Sequence, residues 1–376
     1  MARKQSEILD VKRFMRTHWQ REPLLVRGAF PAFEDPLSPR EVLALAADPD
    51  ATSRLVRRKG HSWSVEHGPF STQRLKQLPG RDWTVLVQDT NRFSRKAQSL
   101  LARFDFVPHV RIDDVMVSYA LPGGGVGPHV DSYDVFLLQG RGRRRWRISR
   151  QRNLEFVPGL PLEILQRFAP EQEWTLEAGD MLYLPPGVAH DGIAESECLT
   201  WSIGLRAPSD AELVAGFLDF LRDRIEPQGH YGDAGARPSR HPGEIPASLE
   251  RHVAEVLRTI RWSAREVREF TGRILTEPKP QVYFTPPRKP LARTAFVRAA
   301  TGRGLSLDPG SRLAFSGTMC FLNGEAVAVP AAARGIVRRL ADARRLAARV
   351  KAPAAFWDVA HAWYLEGALH VDGGET

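Results

Sequence analysis

Hydrophobic and polar positions follow two different periods along this chain. In VKRFMRTHWQ, Val11, Phe14, Met15 and Trp19 recur at helical spacing, and SPREVLALAAD opens with Ser38 or Pro39 in a helix-start position. From Arg111 to Arg206 the period shortens. Runs rich in Val, Ile, Leu, Tyr, Trp and Phe (MVSYAL, VDSYDVFLLQ, RRRWRIS, WTLEAGDMLYLPP, CLTWSIGLR) alternate with Gly/Pro turns, which predicts an all-β barrel or sandwich. After Pro208 the helical period returns. SDAELVAGFLDFLRDRI keeps Leu213, Phe217, Phe220 and Leu221 on one stripe behind Ser209 or Asp210 as N-cap. A Gly/Pro-rich loop is expected over 226–246, a second helical stretch from about Ala247 to Leu275, and a Pro-dense extended linker over 276–290. The remainder mixes strand-like pieces (Leu313 to Phe315, Ala326 to Val329) with helices through IVRRLADARRLAARV and AFWDVAHAWYLEGAL, a small α+β module.

Composition narrows the picture. The 376 residues exceed one ordinary domain, and 43% apolar with 26% charged residues excludes disorder for the bulk of the chain. No run approaches the ~18 consecutive apolar residues of a membrane span, and MARKQSEILD lacks the apolar core of a secretory signal. Two cysteines, Cys198 and Cys320, make neither a disulfide framework nor a thiolate zinc site, so a reducing, cytoplasmic setting is the simplest expectation. The net charge of +9 suits an acidic partner such as nucleic acid. Because Lys supplies only 8 of the 53 basic residues, the arginine excess equally fits codon usage.

The chemistry concentrates in Gly123–Gly–Gly–Val–Gly–Pro–His129–Val–Asp131–Ser–Tyr133 and in Glu177–Ala–Gly179–Asp180–Met–Leu–Tyr–Leu–Pro–Pro186–Gly187–Val–Ala–His190. Read as one strand, the first places His129, Asp131 and Tyr133 on a single face, because side chains alternate with period two. The second is a turn, a strand and a Pro-Gly turn that delivers another imidazole. Two His and one Asp suit a non-haem Fe(II) facial triad. Zinc accepts the same set, and either His alone reads equally as a polar loop residue.

Within Gly142–Arg–Arg144–Arg–Trp146–Arg–Ile148, alternation points Arg144, Trp146 and Ile148 inward, and Arg143, Arg145 and Arg147 outward. An inward guanidinium cannot shed its charge and needs a carboxylate. That partner is a protein acid, with Asp134 the candidate, or a dicarboxylate cosubstrate held between Arg144 and the metal.

The string GGGVGPHVDSYDVFLLQGRGRRRWRI, followed by AGDMLYLPPGVAHDG and SIGLRAP, resembles the YcfD-like bacterial ribosomal oxygenases, which are JmjC-type 2-oxoglutarate-dependent enzymes. The likeness is dense over about residues 105–225. It implies a mainly β catalytic core, a double-stranded β-helix of the cupin/JmjC kind, over 1–207. A helical dimerisation region over 208–276 and a winged-helix-like C-terminal domain over 277–376 are then expected. It carries the metal ligands to His129, Asp131 and His190, and the contact to the 2-oxoglutarate C5-carboxylate to Arg144. Relatives support that arginine with a Ser from the strand before the Gly-rich turn. This chain has Ala120 there, with Ser118 two positions earlier on the same face. Asp114, Met116, Tyr133 and Ser202 fall at substrate-pocket positions, where a carboxylate, an apolar wall and two hydroxyls would meet a guanidinium.

The activity so implied is Fe(II)-, 2-oxoglutarate- and O2-dependent hydroxylation of an arginine in large-subunit ribosomal protein L-sixteen, by a homodimer. A histidyl hydroxylase of a ribosomal protein is the nearest rival. A non-catalytic cupin adaptor, binding RNA or protein through its C-terminal module, is the rival from another class, and a small-molecule metal cupin is a third.

Overall fold

The computed structural model describes residues 9–60, 62–160 and 162–373. Their contacts group into two compact units. One comprises residues up to 207 with the short returns 280–283 and 308–310, and the other holds 208–279, 284–307 and everything from 311 on.

The first unit contains two facing sheets. Its strands are β1 (Leu24–Val26), β2 (Ser53–Lys59), β3 (Ser62–His67), β4 (Trp83–Val87), β5 (Ile112–Ala120), β6 (His129–Val130), β7 (Val135–Gln139), β8 (Arg144–Ser149), β9 (Gln172–Leu176), β10 (Met181–Leu184), β11 (Ala189–Ala194) and β12 (Cys198–Leu205). The larger sheet runs β1-β10-β7-β12-β5-β4-β2-β3 and the smaller β6-β11-β8-β9, with antiparallel pairing throughout. β7, β10 and β12 are buried on both faces; β7 and β10 are accordingly near-continuous apolar runs, whereas β12 alternates Leu199, Trp201, Ile203 and Leu205 with Thr200, Ser202 and Gly204. Val135, Leu137, Leu182 and Leu184 of the large sheet meet Trp146, Ile148 and Leu176 of the small one. The opposite face of the large sheet, with Phe136, Leu138, Tyr183 and Trp201, packs against the N-terminal helices. Phe14 from helix Val11–Thr17 is 1% exposed there and sits edge-on to Tyr183 at 4.9 Å. Helix Pro39–Ala46 starts as its sequence requires, with Ser38 and Glu41 forming a reciprocal capping box and Pro39 in the first position.

Local expectations are corrected in three places. Residues 129–133 do not form one strand. β6 stops at Val130, and Asp131 to Asp134 make the bend that carries the chain from the small sheet to β7 of the large one. The helical stretch after Ala247 is two helices, Ala247–Thr259 and Ala264–Thr276, because Ile260 is extended and Ser263 caps a new start with Glu266. The helix through IVRRLADARR ends at Ala343, where Arg344 turns left-handed and Arg345–Leu346 pairs as a strand.

The second unit begins with helix Asp210–Arg222, capped by Ser209 and Glu212. Its C-terminal part is a hydrophobic cluster around Phe296, Leu340 and Phe356, formed by helices Arg293–Arg303, Arg334–Ala343 and Ala354–Leu365 with two small three-stranded sheets. Cys198 and Cys320 are both buried free thiols.

Candidate active site: a two-histidine, one-carboxylate cluster beside a buried arginine

β6 and β11 pair so that His129 lies opposite His190, which puts both imidazoles on the inward face. Their rings are 4.2 Å apart, and His190 Nε2 is 3.6 Å from Asp131 Oδ2. Gly187 makes this possible: its φ of +81 closes the Pro-Pro-Gly turn that aims β11. One ligand atom from each of His129, Asp131 and His190 lies within 4.8 Å of the other two.

The imidazole tautomers follow from the backbone. Nδ1 of His129 is 2.9 Å from the Gly127 carbonyl, and Nδ1 of His190 is 3.0 Å from the Val188 carbonyl. A carbonyl only accepts, so each Nδ1 carries the hydrogen and each Nε2 presents its lone pair. Burial, reinforced by the neighbouring His129, pushes the His190 pKa down to about 4, against the opposing pull of Asp131 and the Val188 carbonyl. Two imidazoles that present Nε2 beside a carboxylate are the donor set a divalent transition metal takes.

Arg144 opens β8 and is 5% exposed, while the alternate Arg145 and Arg147 face outward to Glu173, Glu195 and Asp191. Its Nη1 donates to Ser118 Oγ at 3.1 Å, and its Nε and Nη2 are buried without an acceptor. Asp134 is not its partner. That carboxylate, 0% exposed, accepts from Arg111, Gln20 and the Tyr183 hydroxyl at 3.2, 3.0 and 2.5 Å. A buried guanidinium whose Nε and Nη2 both lack an acceptor suits a carboxylate that the chain does not itself provide. Ala120 is fully buried against Ala194 and Cys198, so the hydroxyl contact to Arg144 comes from Ser118.

Residues 99–213 match the model of the JmjC domain, and residues 259–370 that of a ROXA-like winged helix. The ribosomal protein uL16 3-hydroxylase of Escherichia coli (strain K12) is 33% identical over 320 residues, covering 84% of this chain and 85% of that protein. The chain belongs to the ribosomal oxygenase family. The solved structure of the E. coli ribosomal oxygenase YcfD in complex with cobalt and 2-oxoglutarate superposes with a TM-score of 0.83 at 31% identity, over 98% of this chain and 99% of that one. A bifunctional lysine-specific demethylase and histidyl-hydroxylase of Dictyostelium discoideum is 39% identical over 87 residues, covering 21% of this chain and 16% of that protein. The double-stranded β-helix core, helical region and winged-helix C-terminal part are those of the family.

Of the other candidate residues of this ribosomal oxygenase, Asp114, Met116 and Ser202 lie along β5 and β12, beside Ser118, and Tyr133 lies in the bend before β7. Met116 pairs with Ser202 and Asp114 with Gly204, so all share the face that carries Ser118. Gly204 leaves open the space where they meet: a Cβ there would lie 3.5 Å from Asp114 Oδ1 and 3.9 Å from the Tyr133 ring. Asp114 also accepts the backbone N–H of Asp89 through Oδ2 at 3.0 Å, so one oxygen supports a turn while the other faces Gly204. The Tyr133 ring lies beside this space, and burial of its hydroxyl, then Asp131, Asp114 and Asp113, raise its pKa above the usual phenol value.

Arg54 was not singled out in the sequence. The register Arg54–Leu86–Ser118 puts it on the same face, its Nε is buried without an acceptor, and its charge acts on Tyr133. Its signal, a single Arg before Leu-Val in SRLVRRK, is indistinguishable from an ordinary strand edge until the sheet order is known.

Proposed function

We propose that the chain is an Fe(II)- and 2-oxoglutarate-dependent hydroxylase acting on an arginine side chain of ribosomal protein uL16. What carries the reading is the convergence of two imidazole nitrogens and one carboxylate next to a buried arginine whose Nε and Nη2 have no acceptor. His129, Asp131 and His190 would hold the metal, leaving positions open for the keto acid and O2. When bound, iron with 2-oxoglutarate and O2 supplies the oxidising chemistry, with succinate and CO2 as co-products and one oxygen inserted into a C–H bond. Arg144, oriented by Ser118, binds the distal carboxylate and fixes the cosubstrate's reach. Asp114 Oδ1, Met116, Tyr133 and Ser202 form the wall against which the substrate guanidinium is placed, and the protonated Tyr133 hydroxyl donates rather than adding negative charge. Asp114, on the face that lines this space, is the carboxylate that would favour a cationic target over a neutral imidazole.

The deciding experiment incubates purified enzyme, Fe(II) and 2-oxoglutarate with isolated uL16 and reads intact mass and fragment spectra. A one-oxygen gain on an arginine is expected. A gain on histidine, or none, contradicts the substrate assignment. Ser118→Ala should weaken cosubstrate binding modestly, by about 5- to 10-fold, since it removes one hydrogen bond of ~1 kcal/mol from Arg144 but leaves the charge. Titration by calorimetry on metal-loaded protein measures it.

We further propose three functional parts (1–207, 208–276 and 277–376), a cytoplasmic location alongside the ribosomal substrate, and a homodimer formed through the middle part. Val214, Leu218, Leu257 and Trp262 are between 57% and 61% exposed on its helices and turn. An uncovered apolar surface of this kind supports pairing with a second copy. Leu218→Asp is expected to convert the dimer to monomer in light scattering at micromolar concentration, while the melting temperature moves by only a few degrees.

A further inference from the structure

A buried N–H without an acceptor costs about 1–3 kcal/mol, and in the catalytic unit such groups are not scattered. Among its described residues they belong to Arg54, Arg144, Trp146 and Arg147. Three of the atoms, Arg144 Nε, Arg144 Nη2 and Trp146 Nε1, come from the two inward-facing neighbours on β8. The two arginines beside the site would find water or ligand through long flexible stems. An indole cannot, because its ring is fixed by packing.

Trp146 is 5% exposed. It pairs with Gly192 on β11, where a Cβ would lie 2.7 Å from two carbons of its six-membered ring. Only glycine lets the ring lie there. That contact is with the face of the six-membered ring, whose three nearest carbons lie at 2.7, 2.7 and 2.9 Å, so β11 covers the ring face and does not take up Nε1. The ring centroid is 5.9 Å from that of His190, and the Arg144 guanidinium carbon is 5.8 Å from it. The two other buried tryptophans of this unit satisfy their N–H groups: Trp83 donates to the Pro79 carbonyl at 2.5 Å and Trp201 to Asp35 Oδ1 at 2.7 Å. Trp146 has no such acceptor.

We propose that Trp146 is a donor of the cosubstrate site, its indole N–H hydrogen-bonding the carboxylate that Arg144 holds. This rests on the reading of the site as one for 2-oxoglutarate. On β8 the inward positions are Arg144, Trp146 and Ile148, and Ile148 pairs with His190 while Arg144 pairs with Ala194. The indole therefore occupies the step between the metal end and the arginine end, and a diacid joining them crosses it. Arg144 supplies charge and Trp146, the next inward position on the same strand, a neutral, rigid donor. Together they select a second carboxylate over an uncharged tail, so the same site discriminates a dicarboxylic keto acid from a monocarboxylic one.

Trp146→Phe keeps the aromatic face and removes only the donor. Zn(II)-loaded protein with 15N-labelled indoles is titrated with 2-oxoglutarate and, separately, with pyruvate. The Trp146 cross-peak is assigned by its loss in W146F, or in W146Y should W146F not fold. Calorimetry runs in parallel on wild type and variant. The expected result is a downfield shift of the Trp146 N–H with 2-oxoglutarate but not with pyruvate, and about 10-fold weaker 2-oxoglutarate binding by the variant at unchanged Zn(II) affinity. If 2-oxoglutarate binds but the cross-peak stays and the variant binds equally well, the role of Trp146 is overturned and the cosubstrate site stands. If 2-oxoglutarate does not bind the metal-loaded wild type, the site reading fails and this proposal with it.

Discussion

Asp131→Ala is expected to reduce succinate formation to the uncatalysed background while leaving the protein folded. Asp131 lies in the bend after β6, its side chain is 23% exposed, and it packs into no apolar cluster, so its removal opens no cavity. What it does remove is the one carboxylate of the cluster. Two imidazoles whose rings are 4.2 Å apart would then share an ion with no carboxylate to balance its charge. Succinate release, metal content after dialysis and the melting curve separate the possibilities. Loss of metal and turnover with a melting temperature within a few degrees of wild type is the expected pattern. Turnover that survives either this variant or His129→Ala would sink the assignment of the ligands.

Arg144→Ala is expected to raise the KM for 2-oxoglutarate by roughly 10²-fold or more, with a smaller loss in kcat at saturation. The magnitude follows from two hydrogen bonds to a charged group at about 1.5–3 kcal/mol each, and 1.4 kcal/mol is tenfold in affinity. Arg144→Lys separates charge from geometry. It keeps the cation but cannot present the planar fork, so it should fall between wild type and Ala. Metal affinity should be unchanged in both, because Arg144 touches none of the three ligand residues. A variant with unaltered KM would mean that the unused N–H groups of Arg144 serve no diacid.

These two results test parts of the molecule that the sequence exposes to very different degrees. Arg144 was legible because β8 alternates cleanly: a strand of period two with Trp and Ile on one face dictates where the guanidinium goes. His129 and His190 are legible from their Gly/Pro-rich approaches, whereas strand alternation does not account for Asp131. It reaches the cluster from a bend, and local alternation does not describe a bend between two sheets. Pairing information was the other missing quantity. Asp134 looked like a partner for Arg144, yet it is held by Gln20, Arg111 and Tyr183, residues spread over more than 160 positions. Arg54 joins the site only through a register that runs across β2, β4 and β5. Gly192, one glycine among 30, shows its purpose only once Trp146 is found lying against it. In the C-terminal half, the stop at Ala343 came from a left-handed Arg344, a conformation that arginine does not announce.

Anaerobic addition of Fe(II) and then 2-oxoglutarate to the purified protein, followed by visible absorption, tests the central claim most directly. A weak charge-transfer band that requires both additions, saturates at one equivalent per chain and disappears in Asp131→Ala is the expected result. A featureless spectrum, or the same band in the variant, would contradict the assignment of this cluster as an iron and keto-acid site.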